Sequence, residues 1–277
     1  MKTLRLMFIY MIILAVMTAG CNKEGKPTTV SGSETMMPLM TKLVETYSKK
    51  TGKDLMVSGS GSLKGLLLLL VGKSDIAISS VKIPAAMLWE AQKKGMTIKE
   101  IQMGYDIIIP IVHRSNRIDN LFLGQLADMY RGLIKDWKDA GGTPGKITVV
   151  DRNPDSGTKL VMDETFFELE KVVEGHVKKN CDNAIVAYVA QHPGAVGYIS
   201  QSYLNSSVKA ININGANAMM ENVETKAYPL FRELYFYVNE KTYTGTIKSF
   251  IDFVLSKNGQ DILKQHGFIP VARIQRS

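Results

Sequence analysis

Cysteine and histidine are scarce in this chain, which has two cysteines and four histidines in 277 residues. The histidines stand singly, and neither Cys-x-x-Cys nor His-Glu-x-x-His spacing, typical of zinc sites, occurs in the sequence. We therefore expect no metal site and no cofactor.

Motifs of covalent and nucleotide chemistry are also missing. Ser58 stands two positions before Ser60, so the Gly-x-Ser-x-Gly elbow of hydrolases is absent. Gly72-Lys73-Ser74 resembles the end of a P-loop, but Leu67 stands where that motif needs its first glycine. The sequence thus favours a protein that is not an enzyme, and leaves open a hydrolase whose residues converge only in space.

Long apolar runs are absent except near the N-terminus. A short basic start precedes an apolar run over Leu6–Met17, and Ala19-Gly20 then precede Cys21, the pattern of a secretory signal. The run is too short for an ordinary transmembrane helix. Cleavage before Cys21 resembles a bacterial lipoprotein signal, in which this cysteine is lipidated, although Thr18 replaces the usual leucine. The alternative is ordinary secretion, with Cys21 incidental.

This N-terminus predicts an exported protein of the cell envelope, in the periplasm or on the outer face of the cytoplasmic membrane. We expect a signal peptide over residues 1–20 and a lipidated tether over 21–29. If Cys21 carries lipid, Cys181 has no partner, so we expect no intrachain disulfide. The simplest interpretation of Cys181 is a small buried apolar side chain.

Basic charge exceeds acidic charge but is not concentrated. The formal net charge is +8, and loss of Lys2 and Arg5 with the signal lowers it by two. The basic residues are dispersed and do not alternate with aromatics, which is not typical of nucleic-acid binding. The charge suits an anionic ligand and an anionic membrane surface.

Three short stretches predict the walls of one anion pocket. They are Gly32-Ser33-Glu34-Thr35, Gly59-Ser60-Gly61-Ser62 and the segment from Arg152 to Thr158. Each places Ser, Thr or Gly where a helix is expected to start, and helix N-termini present unpaired N–H groups and partial positive charge. Such ends aimed at one point bind an oxyanion, with Arg152 adding charged donors. Taken alone, Thr35 and Ser156 are better explained as simple N-caps, the commonest role of Ser or Thr before a helix.

Apolar periodicity predicts alternating strands and helices. The predicted helices are 37–49, 62–71, 85–94, 123–133, 156–167, 185–191, 246–256 and 260–266. The predicted strands are 54–58, 75–80, 105–113, 147–150, 195–199 and 234–238. This alternation is typical of an α/β architecture, and we expect mainly parallel sheets.

A series of motifs spans nearly the whole mature chain in a fixed order. They are Gly-Ser-Glu-Thr at 32–35 with Pro38-Leu39, Gly-Ser-Gly-Ser at 59–62 with Lys64, Asp-Ile-Ala-Ile-Ser-Ser at 75–80, Arg152 with Ser156-Gly157-Thr158, Tyr-Pro-Leu at 228–230, the runs 234–239 and 250–256, Gly259-Gln260 and Gly-Phe-Ile-Pro-Val at 267–271. In this order they resemble the periplasmic phosphate-binding proteins of ABC importers.

The resemblance implies a type II periplasmic-binding-protein fold, with two α/β lobes, two strand crossovers and the ligand in the cleft between the lobes. Lobe one would comprise 30–105 and 229–277, and lobe two 106–228. The crossings would fall near Tyr105–Pro110 and Tyr228–Leu234, and phosphate would close the cleft about them. The implied partners are inorganic phosphate and the permease subunits of an ABC importer, with no nucleic acid.

The resemblance also implies which residues bind phosphate. Thr35 would donate its hydroxyl and Met36 its backbone N–H, while Ser60 and Ser62 compete for the serine of the second loop, which is one residue shorter here. The predicted ligand residues are Thr35, Met36, Ser60, Ser62, Ser80, Arg152, Ser156, Gly157 and Thr158. Lipidation falls on Cys21, and no residue is assigned a catalytic or metal-binding role.

Ser80 departs from the best-described members, which carry an aspartate that accepts the proton of monohydrogen phosphate. A hydroxyl either accepts that proton or donates to a bare oxygen, so rejection of sulfate is less well defined. Glu34 and Asp155 are alternative acceptors, or simply exposed acids at helix starts. Sulfate, molybdate or tungstate binding is the alternative within this class, and a surface adhesin or sensor the alternative outside it.

Overall fold

The structure, a computed structural model, describes residues 26–167 and 175–271. The predicted signal peptide, the lipidation site Cys21 and most of the predicted tether lie outside these residues. Within the two described ranges, no helix combines the length and apolarity needed to cross a membrane.

Strands and helices alternate along most of the described chain. The strands are β1 (Thr28–Gly32), β2 (Leu55–Gly59), β3 (Ile76–Ser79), β4 (Ile98–His113), β5 (Asn120–Leu121), β6 (Thr148–Arg152), β7 (Val177–Lys179), β8 (Ala195–Ser200), β9 (Val208–Ala210), β10 (Asn212–Ile213), β11 (Phe231–Asn239) and β12 (Ile269–Pro270). The α-helices are α1 (Met37–Thr51), α2 (Ser62–Leu70), α3 (Ala85–Lys93), α4 (Leu123–Tyr130), α5 (Gly157–Phe167), α6 (Asp182–Gln191), α7 (Met220–Glu224), α8 (Gly245–Leu255) and α9 (Lys257–Gln265). Short 3₁₀ helices cover Glu34–Met36, Trp137–Ala140, Gln201–Tyr203 and Glu240–Thr242.

Helix α1 illustrates how local sequence sets these elements. Pro38 lies in its first turn, where the missing N–H costs nothing, and Gly52 ends it at a φ of 69° that favours glycine. Leu39, Leu43 and Tyr47 recur at helical spacing and are buried. The helix predicted from this periodicity over 37–49 is confirmed.

The main sheet has the strand order β2-β1-β3-β11-β4-β8-β6-β7 and is mixed. Its two ends are parallel, since β1 pairs in parallel with β2 and β3, and β6 with β7 and β8. At its centre, β11 is antiparallel to β3 and β4, and β4 is antiparallel to β8. The expectation of mainly parallel sheets is therefore wrong for the centre. Helical crossovers impose parallel neighbours within each half, whereas β4 and β11 run between the halves without one.

Strand β4 connects the two halves of the sheet. Its 16 residues pair with β11 over Ile98–Ile107 and with β8 over Ile108–Val112. Strand β11 runs back in the opposite direction, and its register with β4 shifts between Leu234 and Tyr235. The chain therefore passes between the halves through two adjacent strands.

Two large hydrophobic cores lie on either side of this passage. The first takes its residues from 30–103 and 234–268, and the second from 105–230 with Ile269. The change from one core to the other falls between Met103 and Tyr105 on β4, and between Leu230 and Leu234 on the approach to β11. We call the two halves lobe one and lobe two, after the first and second core.

Strand β1 begins at Thr28, inside the segment 21–29 that the sequence suggested was a tether. The Thr29 backbone N–H and hydroxyl both donate to Asp75 Oδ2, at 2.8 and 2.7 Å. These bonds fix the start of the strand beside β3. The last two residues of the predicted tether therefore belong to the sheet.

A buried carboxylate on β6 holds lobe two together behind the pocket. Asp151 is 1% exposed and accepts from Lys159 Nζ at 3.0 Å, from Lys178 Nζ at 2.6 Å and from the Tyr198 hydroxyl. The His176 ring lies 3.3 Å from the same carboxylate. Burial alone would raise the pKa of Asp151, but hydrogen bonds from His176, Lys178 and Tyr198 outweigh it and hold that pKa well below its ordinary value.

Replacing Asp151 with asparagine is expected to destabilise the protein by about 2 kcal/mol, because the buried Lys159 is left with Asp163 as its carboxylate partner and Lys178 loses its ion pair with Asp151. Since the folded-state pKa is lowered, the stabilisation by Asp151 is complete above the unfolded-state pKa and declines as the pH falls below about 4. Urea unfolding followed by circular dichroism measures the free energy of unfolding of wild type and of Asp151→Asn. The difference between the two should decrease as the pH is lowered below about 4.

Asp119 provides the matched control for this experiment. Its carboxylate is 83% exposed and bonds only to Lys209 among the described residues. Asp119→Asn should cost less than about 1 kcal/mol, because an exposed ion pair contributes little. An equal loss of unfolding free energy in the two variants would contradict the stabilising role assigned to Asp151. So would a loss in Asp151→Asn that does not change between neutral and acidic pH.

Candidate functional site

The three predicted pocket walls meet between the lobes. Ser62 at the start of α2 and Ser80 after β3 lie on lobe one, with their hydroxyl oxygens 3.2 Å apart. Gly157 at the start of α5 lies on lobe two, and a Cβ built on it would stand 2.4 Å from Ser80 Oγ and 2.5 Å from Ser62 Oγ. The loop 59–62 of lobe one also contacts lobe two, because a Cβ on Gly61 would be 2.8 Å from the Asp155 carbonyl oxygen. The cleft is therefore closed.

Arg152 ends β6 and projects a buried guanidinium into this region, with the residue 2% exposed. Its Nη1 donates to Asp182 Oδ2 at 2.6 Å and its Nη2 to the Asn180 carbonyl at 2.9 Å. Its Nε is buried and has no hydrogen-bond partner within the described part of the chain, and the same holds for Ser60 Oγ. Unpaired buried polar atoms are costly, so these two atoms are the ones that a hydrogen-bonding ligand would satisfy.

Two of the predicted donors are engaged within the protein. The Thr35 hydroxyl donates to Asp182 Oδ2 at 2.9 Å and lies 3.4 Å from Thr158 Oγ1. The Met36 N–H donates to the Ser33 carbonyl at 3.3 Å, and the Met36 side chain is fully buried. The Thr35 hydroxyl must rotate away from Asp182 before it donates to an anion.

Lobe two contributes the first turn of α5. Ser156 and Thr158 are 4% and 1% exposed, and Ser156 Oγ accepts from the Lys159 N–H at 3.4 Å. Ser156 therefore caps the N-terminus of α5, which is the simpler of the two interpretations of this residue. Its hydroxyl proton is not used in this bond and can be donated to another group. The structure thus brings Thr35, Ser62, Ser80, Arg152, Gly157 and Thr158 into direct proximity, with Met36, Ser60 and Ser156 beside them.

Three charged residues in this region were missed from the sequence: Asp106, Asp182 and Arg232. They are 0%, 1% and 4% exposed. Arg232 donates through Nη1 to Thr158 Oγ1 at 2.6 Å and to Ser80 Oγ at 3.2 Å. Asp106 and Arg232 each stand beside apolar residues of a strand, and a charge in such a run signals a buried pair. Asp182 gave no such signal, since an acid in the first turn of a helix is ordinary.

The carboxylates around the pocket differ in environment. Burial raises the pKa of Asp106, although Arg232 opposes the shift. Burial also raises the pKa of Glu34, against the lowering by Arg152, whose Nη2 lies 3.7 Å from Glu34 Oε2. Asp155 is exposed. Of the two alternative proton acceptors considered from the sequence, only Glu34 therefore faces the arginine, while Asp155 matches its interpretation as a surface acid.

Other chemistry is not apparent in the described residues. They contain no group of histidine, cysteine and acidic side chains that could hold a metal ion. Cys181 is a free thiol, partly exposed rather than buried as expected, because it lies at the N-cap of α6. Its predicted lack of a disulfide partner involves Cys21, which lies outside the described residues.

Comparison with known proteins agrees with this geometry. The sequence matches the PBP superfamily domain over residues 18–258. The phosphate-binding protein PstS of Bacillus subtilis is 29% identical over 258 residues, which cover 91% of this chain and 83% of that protein. A Clostridium perfringens protein, described as a substrate-binding protein of a phosphate ABC transporter and solved with bound phosphate, is 32% identical. The aligned region covers 89% of this chain and 100% of the Clostridium perfringens chain, with a TM-score of 0.83.

A Vibrio cholerae structure described as an ABC-type phosphate transport receptor is also similar. It is 29% identical, covers 87% of this chain and 99% of its own, and has a TM-score of 0.74. The fold and the cleft lined by buried charged residues define a two-lobed binding protein, and the predicted fold class is confirmed. The chain belongs to the PBP superfamily, and its similarity within it lies with the PstS phosphate-binding proteins.

Proposed function

We propose that this protein captures inorganic phosphate outside the cytoplasm and delivers it to the permease of an ABC importer without transforming it. The observation that carries this function is the pair of buried, unpartnered atoms, Arg152 Nε and Ser60 Oγ, on opposite walls of the closed cleft. A tetrahedral oxyanion supplies acceptors to both, and the first turn of α5 adds N–H groups. The similarity to phosphate-binding relatives supports the same ligand.

The proposed ligand residues are those of the sequence prediction. Arg152, Ser156, Gly157 and Thr158 act from lobe two, and Thr35, Met36, Ser60, Ser62 and Ser80 from lobe one. Phosphate would bind residues of both lobes at once, and its higher affinity for the closed state would shift the protein toward that state. The closed form would then be the one that the permease recognises. The lobe boundaries of the sequence prediction, 105/106 and 228/229, stay a prediction, and they lie within two residues of Tyr105 and Leu230, where the second core begins and ends.

Isothermal titration calorimetry tests the function directly. The full chain, purified in detergent, is titrated with phosphate, sulfate, molybdate and a phosphonate in turn. We expect one phosphate per chain and tighter binding than for the other anions. Absence of phosphate binding would disprove the proposal, and release of product from a phosphate ester would disprove the non-enzymatic role.

Sulfate is the second candidate ligand, favoured by one observation. Ser80 Oγ accepts from Arg232 Nη1 at 3.2 Å, so this hydroxyl is disposed to donate to a bare oxygen. Sulfate presents only bare oxygens at neutral pH. Tighter binding of sulfate than of phosphate in the same titrations would favour this candidate.

The proposal includes attachment to the membrane through lipidated Cys21. The support is the sequence alone: the apolar run over Leu6–Met17 and the small residues before the cysteine. Cys21→Ser should move the protein from the membrane fraction to the soluble fraction. Each buried CH₂ of an acyl chain contributes about 0.8 kcal/mol to the free energy of membrane binding, and the variant lacks the acyl chains. Fractionation with an antibody against the chain measures this, with Cys181→Ser as the matched control. If Cys21→Ser stays with the membrane like wild type, the anchor is not this lipid.

A further inference from the structure

Arg232 contacts the pocket, yet it is not among the proposed ligand residues. It lies on β11, directly opposite Asp106 on β4. Its Nε and Nη2 both donate to Asp106 Oδ2, at 3.0 and 2.7 Å. The Ser200 hydroxyl donates to the other oxygen, Asp106 Oδ1, at 2.6 Å. Both charges are buried, so the guanidinium is fixed by a fully engaged cross-strand pair.

This pair lies where the lobes separate. On β4, Met103 packs in the first core and Tyr105 in the second. Leu230, just before β11, packs in the second core, and Leu234 on β11 packs in the first, directly before the register shift in the pairing with β4. Strand segments of this kind absorb the backbone rotation of a closing hinge. Arg232 therefore reaches the pocket from the hinge rather than from either lobe.

The remaining nitrogen of Arg232 joins the two lobes. Nη1 donates to Ser80 Oγ of lobe one at 3.2 Å and to Thr158 Oγ1 of lobe two at 2.6 Å. A hydroxyl has one proton and two lone pairs, so a hydroxyl that accepts from an arginine directs its proton elsewhere. For Thr158, the nearest hydroxyl is Thr35 Oγ1 at 3.4 Å, a long contact. The Thr158 proton is thus available to an anion in the cleft.

We propose that Arg232 is a positioning residue for the anion, which orients the hydroxyls of Thr158 and Ser80 so that their protons face a bound oxyanion. The inference rests on the proposed function. Four of the five guanidinium N–H groups of Arg232, including both on Nη1, are directed at Asp106, Ser80 and Thr158, so we place Arg232 behind these hydroxyls rather than against the anion. The effect is larger through Thr158, because Ser80 has a second acceptor, Ser62 Oγ, at 3.2 Å.

A double-mutant cycle separates orientation from a merely structural role. Inorganic phosphate is titrated into the full chain in detergent for wild type, Arg232→Lys, Thr158→Val and the double variant. Lysine keeps a positive charge opposite Asp106 but lacks the fork that spans Asp106 and Thr158. We expect each single variant to bind phosphate about tenfold more weakly, the value of one charge-assisted hydrogen bond. The double variant should bind only slightly more weakly than Thr158→Val, because the hydroxyl through which Arg232 mainly acts is then absent and only its smaller effect through Ser80 remains.

The controls keep the outcome decisive. Arg114→Lys changes an exposed arginine just beyond β4 and should leave the affinity unchanged. Should circular dichroism show that Arg232→Lys does not fold, Asp106→Asn loosens the same guanidinium and is compared with Thr158→Val in the same cycle. Additive losses, with the double variant about a hundredfold weaker than wild type, overturn the proposal, as does wild-type affinity in Arg232→Lys. If wild type itself does not bind phosphate, it is the proposed function that fails.

Discussion

Phosphate binding should be lost when Arg152 is replaced by alanine, with the dissociation constant raised at least about a thousandfold, or about 4 kcal/mol. The guanidinium is almost fully buried, so its contacts are not screened by water. Removal deletes the unpartnered Nε that the anion would satisfy, and it leaves the Asp182 carboxylate without its cation. An uncompensated negative charge then faces an incoming anion. Calorimetric titration with phosphate measures the loss.

Two further variants make this result specific. Arg152→Lys keeps the charge but lacks an Nε and the forked geometry, so it should bind more weakly than wild type and more tightly than Arg152→Ala. Arg117→Ala removes an exposed arginine of lobe two and should bind like wild type. Thermal unfolding must show that Arg152→Ala remains folded. Near-wild-type affinity in a folded Arg152→Ala would remove this residue from the site.

The sequence predicted the walls of the pocket because each wall is local. A serine, threonine or glycine before a helix is visible in a short window, and its chemistry follows from the unpaired N–H groups of the first turn. The walls at Thr35, Ser62 and Gly157 are indeed helix starts that meet in the closed cleft. Their roles as phosphate ligands stay a prediction.

The interior of the pocket could not be derived in this way. Asp106 and Arg232 are far apart in sequence, and their pairing depends on the antiparallel register of β4 and β11. That register was hidden by the assumption of parallel strands, which alternating strands and helices favour. Asp182 reaches Arg152, at the end of β6, from the first turn of α6, a contact that only the tertiary structure defines. Long-range pairs of charges therefore set the electrostatics of a site whose donors are local.

Closure of the cleft should be prevented by replacing Gly157 with valine, which is expected to weaken phosphate binding more than about a hundredfold. A Cβ at this position would stand 2.4 Å from Ser80 Oγ, 2.5 Å from Ser62 Oγ and 3.1 Å from Ser62 Cβ. The hydroxyls are held by their own hydrogen bonds, and the Ser62 Cβ cannot rotate away. The lobes must therefore separate. The fold of lobe two itself should tolerate the change, because Gly157 does not have a backbone conformation in the left-handed region. A side chain also lowers the conformational entropy of the unfolded chain, which favours folding.

Small-angle scattering distinguishes this mechanism from simple damage to the site. Wild type should contract when phosphate is added, whereas Gly157→Val should keep one larger radius of gyration with and without phosphate. Gly124→Val is the matched control, since Gly124 also lies in the first turn of a lobe-two helix and nothing stands within 4 Å of its Cβ position. It should bind phosphate and contract like wild type. Contraction of Gly157→Val with wild-type affinity would show that closure does not bring α5 against Ser62 and Ser80. An unchanged radius in wild type, with phosphate binding confirmed in the same sample, would remove the hinge at β4 and β11 from the mechanism.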